Sequence, residues 1–186
     1  MPTAIIRPTS TTSQTGWPSS NIHTIIGDNS TETSVTQNSV NCNFTGVLAD
    51  LDSSLSGATI NSFTISLTGK AGRAGAASAE MSLVHAEDGI FATESESFTG
   101  SISTQTTSST SKQQDGSSAL TFTYINDCSV RIEPNNQGMT AFELFVTVDY
   151  TAAPSGYGNN VNGVASANIA KIDGVQTANI EKVIGV

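Results

Sequence analysis

The stretch that best reveals the fold is Ala141-Phe142-Glu143-Leu144-Phe145-Val146-Thr147-Val148-Asp149-Tyr150. Apolar side chains occupy every second position from Phe142 to Tyr150, and polar ones lie between them, with Phe145 as the exception. Successive side chains of a β-strand point to opposite faces of a sheet, whereas helical spacing would distribute these residues around a cylinder. The stretch therefore predicts a strand with one face in the core and the other toward water.

The same alternation recurs along the chain. Residues 60–67 and 119–125 alternate clearly, and five shorter stretches do so less clearly: 22–26, 40–48, 81–85, 98–103 and 129–133. Turn-forming Gly, Pro, Asn and Asp residues separate them. Short one-sided strands at this spacing are typical of an antiparallel sandwich, so we predict an all-β, jelly-roll-like body over residues 1–153. The polar runs at 9–20 and 104–118 are predicted to be loops.

The composition argues against several classes of function. Charged residues make up 12% of the chain, and the formal net charge is −9 with 7 basic residues. With so few cations the chain lacks a positively charged surface that could bind the phosphates of nucleic acid. Binding to anionic membranes is disfavoured for the same reason. The N-terminus lacks the basic and apolar regions of a signal peptide, and no apolar run is long enough to span a membrane. Ser, Thr, Asn and Gly replace the charges, which suits exposed strand faces or surfaces covered by a neighbouring subunit.

No catalytic or metal-binding pattern stands out, so we expect a protein without enzymatic activity or cofactor. The two histidines, His23 and His85, have no zinc-type spacing with Cys, Asp or Glu, and no nucleophile-elbow or phosphate-binding motif is present. The acidic pairs at 50 and 52 and at 87 and 88 are more typical of solvated turns than of calcium sites. Cys42 and Cys128 are interpreted as buried thiols, with a long-range disulfide as the alternative.

The chain changes character after residue 153. Residues 161–171 and 172–182 share Gly, Val, Ala, Asn, Ile and Lys in phase, with a period of eleven. A glycine in each repeat and the β-branched residues oppose a helix, so residues 154–186 are predicted to form an extended tail. So few repeats cannot bury their own apolar residues. The tail must therefore lie against the body, against copies of itself or against a partner protein. We predict that it serves assembly or attachment, with an assembly interface formed by Val164, Ile169, Ile172, Val175, Ile180, Val183 and Val186.

Two patches of the sequence resemble β-sandwich structural proteins of tailed bacteriophages. They are residues 57–67 with the strand at 142–150, and the terminal Asn-Ile-x-Lys-Ile-x-Gly-Val pattern. The resemblance implies a capsid decoration (cement) protein, a head fibre or a tail component, often trimeric and without catalytic residues. Our first hypothesis is therefore a homotrimeric capsid decoration protein. It would be assembled in the host cytoplasm, reside in the virion and bind other virion proteins such as the major capsid protein.

The alternative hypothesis is a carbohydrate-binding β-sandwich module that mediates adhesion. Such modules present exposed aromatic side chains for stacking on sugars, but aromatic residues make up 6% of this chain, and most are in phase with the predicted core faces. The candidate ligand contacts are Trp17 and Tyr157, with Phe91 as a further aromatic outside the clearest strands. Trp17 has a second interpretation, as a residue that caps the core at one end of the sandwich.

Removal of the tail tests the predicted assembly interface. A chain that lacks residues 159–186 is expected to keep its far-ultraviolet β signature but to fail to oligomerise or to attach to the surface it decorates, because burial of each Val or Ile contributes about 1.5–3 kcal/mol. Circular dichroism and sedimentation measure the two properties. A truncated chain that assembles and attaches as well as the full chain would show that the tail is only a linker.

Overall fold

The computed structural model of the protein describes residues 1–39, 41–72, 77–135, 138–153, 171–172 and 175–176. The chain divides into two compact units, Met1–Thr151 and Ala152–Val186. The described residues of the first unit contain ten strands, numbered in chain order: β1 (Thr3–Ile6), β2 (Pro8–Thr15), β3 (Val35–Thr36), β4 (Asn43–Leu48), β5 (Thr59–Ala71), β6 (Ala77–His85), β7 (Gly89–Phe98), β8 (Ser103–Thr106), β9 (Cys128–Pro134) and β10 (Met139–Thr151).

These strands form two five-stranded sheets in which every pair is antiparallel. The first sheet has the order β1-β10-β5-β8, with β3 paired to β10, and the second has the order β2-β4-β9-β6-β7. The inner faces of both sheets contribute to one hydrophobic cluster. The prediction of an all-β, antiparallel sandwich is therefore confirmed.

The alternation read from the sequence places the core residues. In β5 and β10 the buried inner residues that are at most 1% exposed include Phe63, Ile65, Leu67, Leu144, Val146 and Val148. The second sheet contributes residues that are 0% exposed, among them Phe44, Met81, Leu83, Val130 and Ile132. The period of two along each strand thus separates a packed face from an outer face.

Two phenylalanines of β10 depart from this pattern. A register shift beside Phe142 leaves its ring outside the core cluster, with the Lys70 ammonium 5.7 Å from the ring centroid. Phe145 lies on the outer face, with the Arg7 guanidinium 5.4 Å from its ring centroid. Arg7 Nη2 also donates to Glu143 Oε1 at 2.7 Å. Cation–π contacts of this kind cover aromatic surface that would otherwise face water.

Two segments predicted as strands, residues 22–26 and 119–125, instead contain the short helices α1 (His23–Ile26) and α2 (Phe122–Asn126). The Thr121 hydroxyl caps α2 by accepting a hydrogen bond from the Tyr124 backbone N–H at 3.1 Å. Leu120 and Tyr124 are both buried. Their spacing of four residues fits one face of a helix as well as one face of a strand, so the apolar pattern alone does not distinguish the two.

The two polar runs predicted as loops both contain strands. Strand β2 lies at the edge of the second sheet, and most of its side chains are exposed or half-buried. Strand β8 lies at the edge of the first sheet and shows the same polarity. An edge strand in a polar environment has no apolar period, and this explains why the sequence pattern misses both.

The second unit contains the strands β11 (Lys171–Ile172) and β12 (Val175–Gln176), which pair antiparallel. Ile172 lies opposite Val175 in this pair. These two residues belong to the predicted assembly interface. Its other members lie outside the described residues, as does Tyr157: Val164, Ile169, Ile180, Val183 and Val186.

Both cysteines are buried and unbonded, as interpreted from the sequence. Cys128 Sγ donates to the Tyr124 carbonyl oxygen at 3.2 Å. Burial raises the pKa of the Cys128 thiol to about 12, and the nearby carboxylates of Asp127 and Asp88 act in the same direction. Burial also raises the pKa of Tyr124 to about 12. The fold thus holds both groups in their neutral form.

The assignment of the core residues predicts that two isoleucines of the same sheet contribute very different amounts to the free energy of unfolding. Ile65→Ala removes a side chain that is 0% exposed, and we expect it to lower the free energy of unfolding by about 2–5 kcal/mol. Ile5→Ala removes a side chain that is 52% exposed and is the matched control, expected to change stability by about 0.5 kcal/mol or less. Urea unfolding measures both values. Equal losses would contradict the assignment of the two faces.

The raised thiol pKa predicts a loss of stability at high pH. The thiol has its ordinary pKa of 9.0 in the unfolded chain and a pKa of about 12 in the folded one, so between these values the unfolded state binds fewer protons. The contribution of Cys128 is complete below pH 9 and is lost as the pH rises toward 12. Urea midpoints for Cys128→Ala should therefore fall less over this window than those for the wild type. Cys42→Ala is the control, and an equal fall in all three proteins would refute the prediction.

Candidate functional site

A polar cleft of 390 Å³ lies at one end of the second sheet, where β2 ends, β4 begins and β9 ends. The described residues that line it are Thr15, Asn41, Cys42, Asn43, Glu133, Pro134 and Asn135. The volume falls in the range of small-molecule sites, roughly 300–1,000 Å³. The lining is dominated by amide, hydroxyl and carboxylate groups.

Strand pairing brings three of these side chains together from distant parts of the sequence. Thr15 pairs with Asn43 across β2 and β4. Glu133 follows Ile132, which pairs with Phe44, so Glu133 lies beside Asn43. Phe44 and Ile132 are 0% exposed on the core face, and the alternation of strands therefore places Asn43 and Glu133 on the outer face.

The wall of the cleft at Cys42 is held by hydrogen bonds to backbone. Cys42 Sγ donates to the carbonyl oxygens of Gly16 at 2.8 Å and of Ser39 at 3.0 Å. Gly16 has a φ of +72°, and a Cβ atom at this position would lie 2.4 Å from Cys42 Sγ. Only glycine fits such a conformation at such a distance. The turn after β2 is therefore fixed against the start of β4.

The charge of the cleft is largely compensated. Arg131 Nη2 donates a hydrogen bond to Glu133 Oε1, and the two residues lie on the same face of β9. The carboxylate keeps acceptor capacity for a ligand, since it has two oxygens. The asparagine side chains at 41, 43 and 135 carry both donors and acceptors. The arrangement can hold a neutral ligand that both donates and accepts hydrogen bonds.

Of the aromatic residues considered as ligand contacts, the two that the structure describes, Trp17 and Phe91, do not provide an exposed platform. Trp17 is 7% exposed and belongs to the core cluster, so its ring is not available for stacking from solvent. Its buried Nε1 has no hydrogen-bond partner among the described residues. Phe91 is 8% exposed, and its ring packs edge to face against Phe63 and Tyr124.

The histidines have structural surroundings. The His85 ring stacks on Tyr124 with 3.9 Å between centroids, and its Nδ1 accepts hydrogen bonds from the backbone N–H groups of Glu87 and Asp88. His23 Nδ1 lies 2.9 Å from Thr11 Oγ1. In the part of the chain that the structure describes, no group of three or more His, Cys, Asp or Glu side chains could hold a metal ion. None of the helices described there is long and apolar enough to cross a membrane.

None of the described cleft residues is among the ligand contacts predicted from the sequence, which are Trp17, Tyr157 and Phe91. Asn41 and Asn43 lie inside the stretch predicted as a strand at 40–48, and Asn135 follows the one predicted at 129–133, where asparagine ordinarily indicates turn chemistry. Their proximity depends on the register of β2, β4 and β9, and this register is a property of pairing between segments more than 25 residues apart. The only local signal is a cluster of asparagines at strand ends.

Comparisons with known proteins give similarity of fold alone. No family model matches the chain, and no curated protein matches it. A similar solved structure is the C-terminal CBM6 of the marine laminarinase LamC from Zobellia galactanivorans, with 10% identity, a TM-score of 0.45, and coverage of 79% of this chain and 98% of that one. Another is the carbohydrate-binding module CBM6cm-2 of Cellvibrio mixtus lichenase 5A in complex with cellotriose, with 13% identity, a TM-score of 0.43, and coverage of 80% and 97%. A third is the BiXyn10A CBM1, with 10% identity, a TM-score of 0.33, and coverage of 77% and 96%.

These comparisons correct the first hypothesis drawn from the sequence. The structures with a similar sandwich are carbohydrate-binding modules and not virion components. The function as a capsid decoration protein, head fibre or tail component is therefore not retained.

Proposed function

We propose that the chain is a carbohydrate-binding module whose polar cleft holds an uncharged, hydroxyl-rich sugar. The observation that carries the proposal is the lining of the cleft. Three asparagines, a threonine and a glutamate whose charge is compensated by Arg131 surround a volume of 390 Å³. Sugar hydroxyls donate and accept hydrogen bonds at the same atom, and asparagine amides offer both functions side by side. The two sets of groups are complementary.

Other ligand classes fit the cleft less well. A phosphate or a polyanionic sugar would need several cations, whereas Arg131, the cation beside Glu133 among the described residues, already bonds that carboxylate. A peptide anchor would need an apolar or aromatic pocket, and the described lining residues include only Pro134 and Cys42 as weakly polar members. A neutral polyol needs neither.

The cleft supports binding without turnover. Glycoside hydrolysis requires two carboxyl groups that flank the scissile bond, one as acid and one as nucleophile or base. Among the described residues that line the cleft, Glu133 is the single carboxylate. We therefore propose a module that binds its sugar and leaves the glycosidic bond intact.

Loss of amide side chains tests this function. Asn41→Ala and Asn43→Ala are each expected to weaken binding of a neutral oligosaccharide by about two- to twelvefold, because a net hydrogen bond contributes about 0.5–1.5 kcal/mol. Isothermal titration calorimetry against neutral oligosaccharides, cellotriose among them, measures the dissociation constants. Neither side chain has a hydrogen bond within the described structure, so both variants should keep the stability of the wild type.

The matched control is Asn21→Ala, which removes an exposed asparagine that does not line the cleft. It should bind like the wild type. Failure of the wild type to bind any neutral oligosaccharide would refute the proposed function. Binding that survives the double variant at 41 and 43 would place the sugar elsewhere, and release of shorter sugars during incubation would show turnover.

A further inference from the structure

The cleft is one end of a longer row of polar side chains on the outer face of the second sheet. Glu133 pairs with Glu80 across β9 and β6, and Glu80 pairs with Ser95 across β6 and β7. Together with the pair of Thr15 and Asn43, these residues define the polar row, one residue from each of five strands: Thr15, Asn43, Glu133, Glu80 and Ser95.

All members of the polar row face outward. Ala79 and Met81 are 0% exposed on the core face, so Glu80 between them points away from the core. Thr15 and Ser95 are exposed, and the other three members are half-buried. Neighbouring strands lie about 4.8 Å apart, and four such steps give the row a length of about 19 Å.

Both ends of the row lie on edge strands of the sheet. Thr15 belongs to β2 and Ser95 to β7, and these are the two edge strands of the sheet. A chain molecule that follows the row can therefore continue past the sheet at either side. This geometry suits an internal segment of a polymer better than a chain end.

The middle of the row requires hydrogen-bond donors. Glu80 and Glu133 lie directly opposite each other, and like charges in this position destabilise a sheet. The ion pairs of the described residues include Glu133, through Arg131, but not Glu80. Ligand hydroxyls placed over the two carboxylates would supply donors to both, whereas a carboxylated or sulfated sugar would add a third negative charge.

We infer that the polar row is a binding track that extends from the cleft across the whole sheet and takes an internal segment of a linear, uncharged glycan. This inference rests on the proposed function and adds the length of the bound segment and its path across the sheet. Glu80 and Ser95 are the residues that distinguish the track from the cleft, since neither lines the cleft.

Oligosaccharides of increasing length test the track. The probes are β-1,4-glucans, β-1,3-glucans, xylans and mannans, each from disaccharide to hexasaccharide, with polygalacturonate as the anionic counterpart. In the series that binds, affinity is expected to rise with length until the oligosaccharide spans about 19 Å. Glu80→Ala and Ser95→Ala should each weaken binding of the hexasaccharide by about two- to twelvefold and leave the disaccharide within about twofold.

The controls are Glu32→Ala, at an exposed position outside the row, and Ser62→Ala, on the outer face of the first sheet. Both should bind all lengths like the wild type, and thermal unfolding verifies that every variant is folded. Equal affinity for disaccharide and hexasaccharide, or an unchanged hexasaccharide affinity in both track variants, would overturn the track while leaving a cleft-only module. Tight binding of polygalacturonate would contradict the uncharged ligand of the cleft as well as that of the track. Absence of binding to every probe would instead overturn the proposed function, and the track with it.

Discussion

The register between β4 and β9 is the constraint on which the outer surface depends. Phe44 and Ile132 pair on the core face, and this pairing forces Asn43 and Glu133 to the outer face. A slip of one residue would exchange the two faces, burying an amide and a carboxylate while exposing two large apolar side chains. The free energy that packs the core therefore also sets the position of the polar groups on the opposite side of the sheet.

Much of the fold could be predicted from the sequence because one kind of signal, the alternation of apolar residues, is local. It places Phe63, Ile65 and Leu67 in the core without knowledge of their partners. The same signal fails at Leu120 and Tyr124, where a spacing of four residues suits a strand and a helix equally. It also fails at β2 and β8, whose edge positions leave no apolar face to detect.

The candidate site could not be predicted in this way. Thr15, Asn43 and Glu133 become neighbours only through pairing of distant strands, and a search for motifs along the chain does not detect such proximity. Trp17 is the opposite case. As a solitary aromatic residue in a polar segment it suggests a ligand contact, but in the structure it lies in the core. The composition is ambiguous as well. A surface rich in Ser, Thr and Asn suits contact with a neighbouring subunit, and it suits hydrogen bonding to hydroxyl groups equally well.

The positions of the cleft residues in the chain have a thermodynamic consequence. Residues 15, 43 and 133 come from near the start and near the end of the first unit, so the site does not exist in any short fragment of the chain. A molecule that binds there selects the completely paired sheet over every partly unfolded form. At a concentration a hundred times its dissociation constant, such a molecule would stabilise the native state by about 2.7 kcal/mol. Binding of a ligand in the cleft and folding of the sandwich are therefore thermodynamically linked.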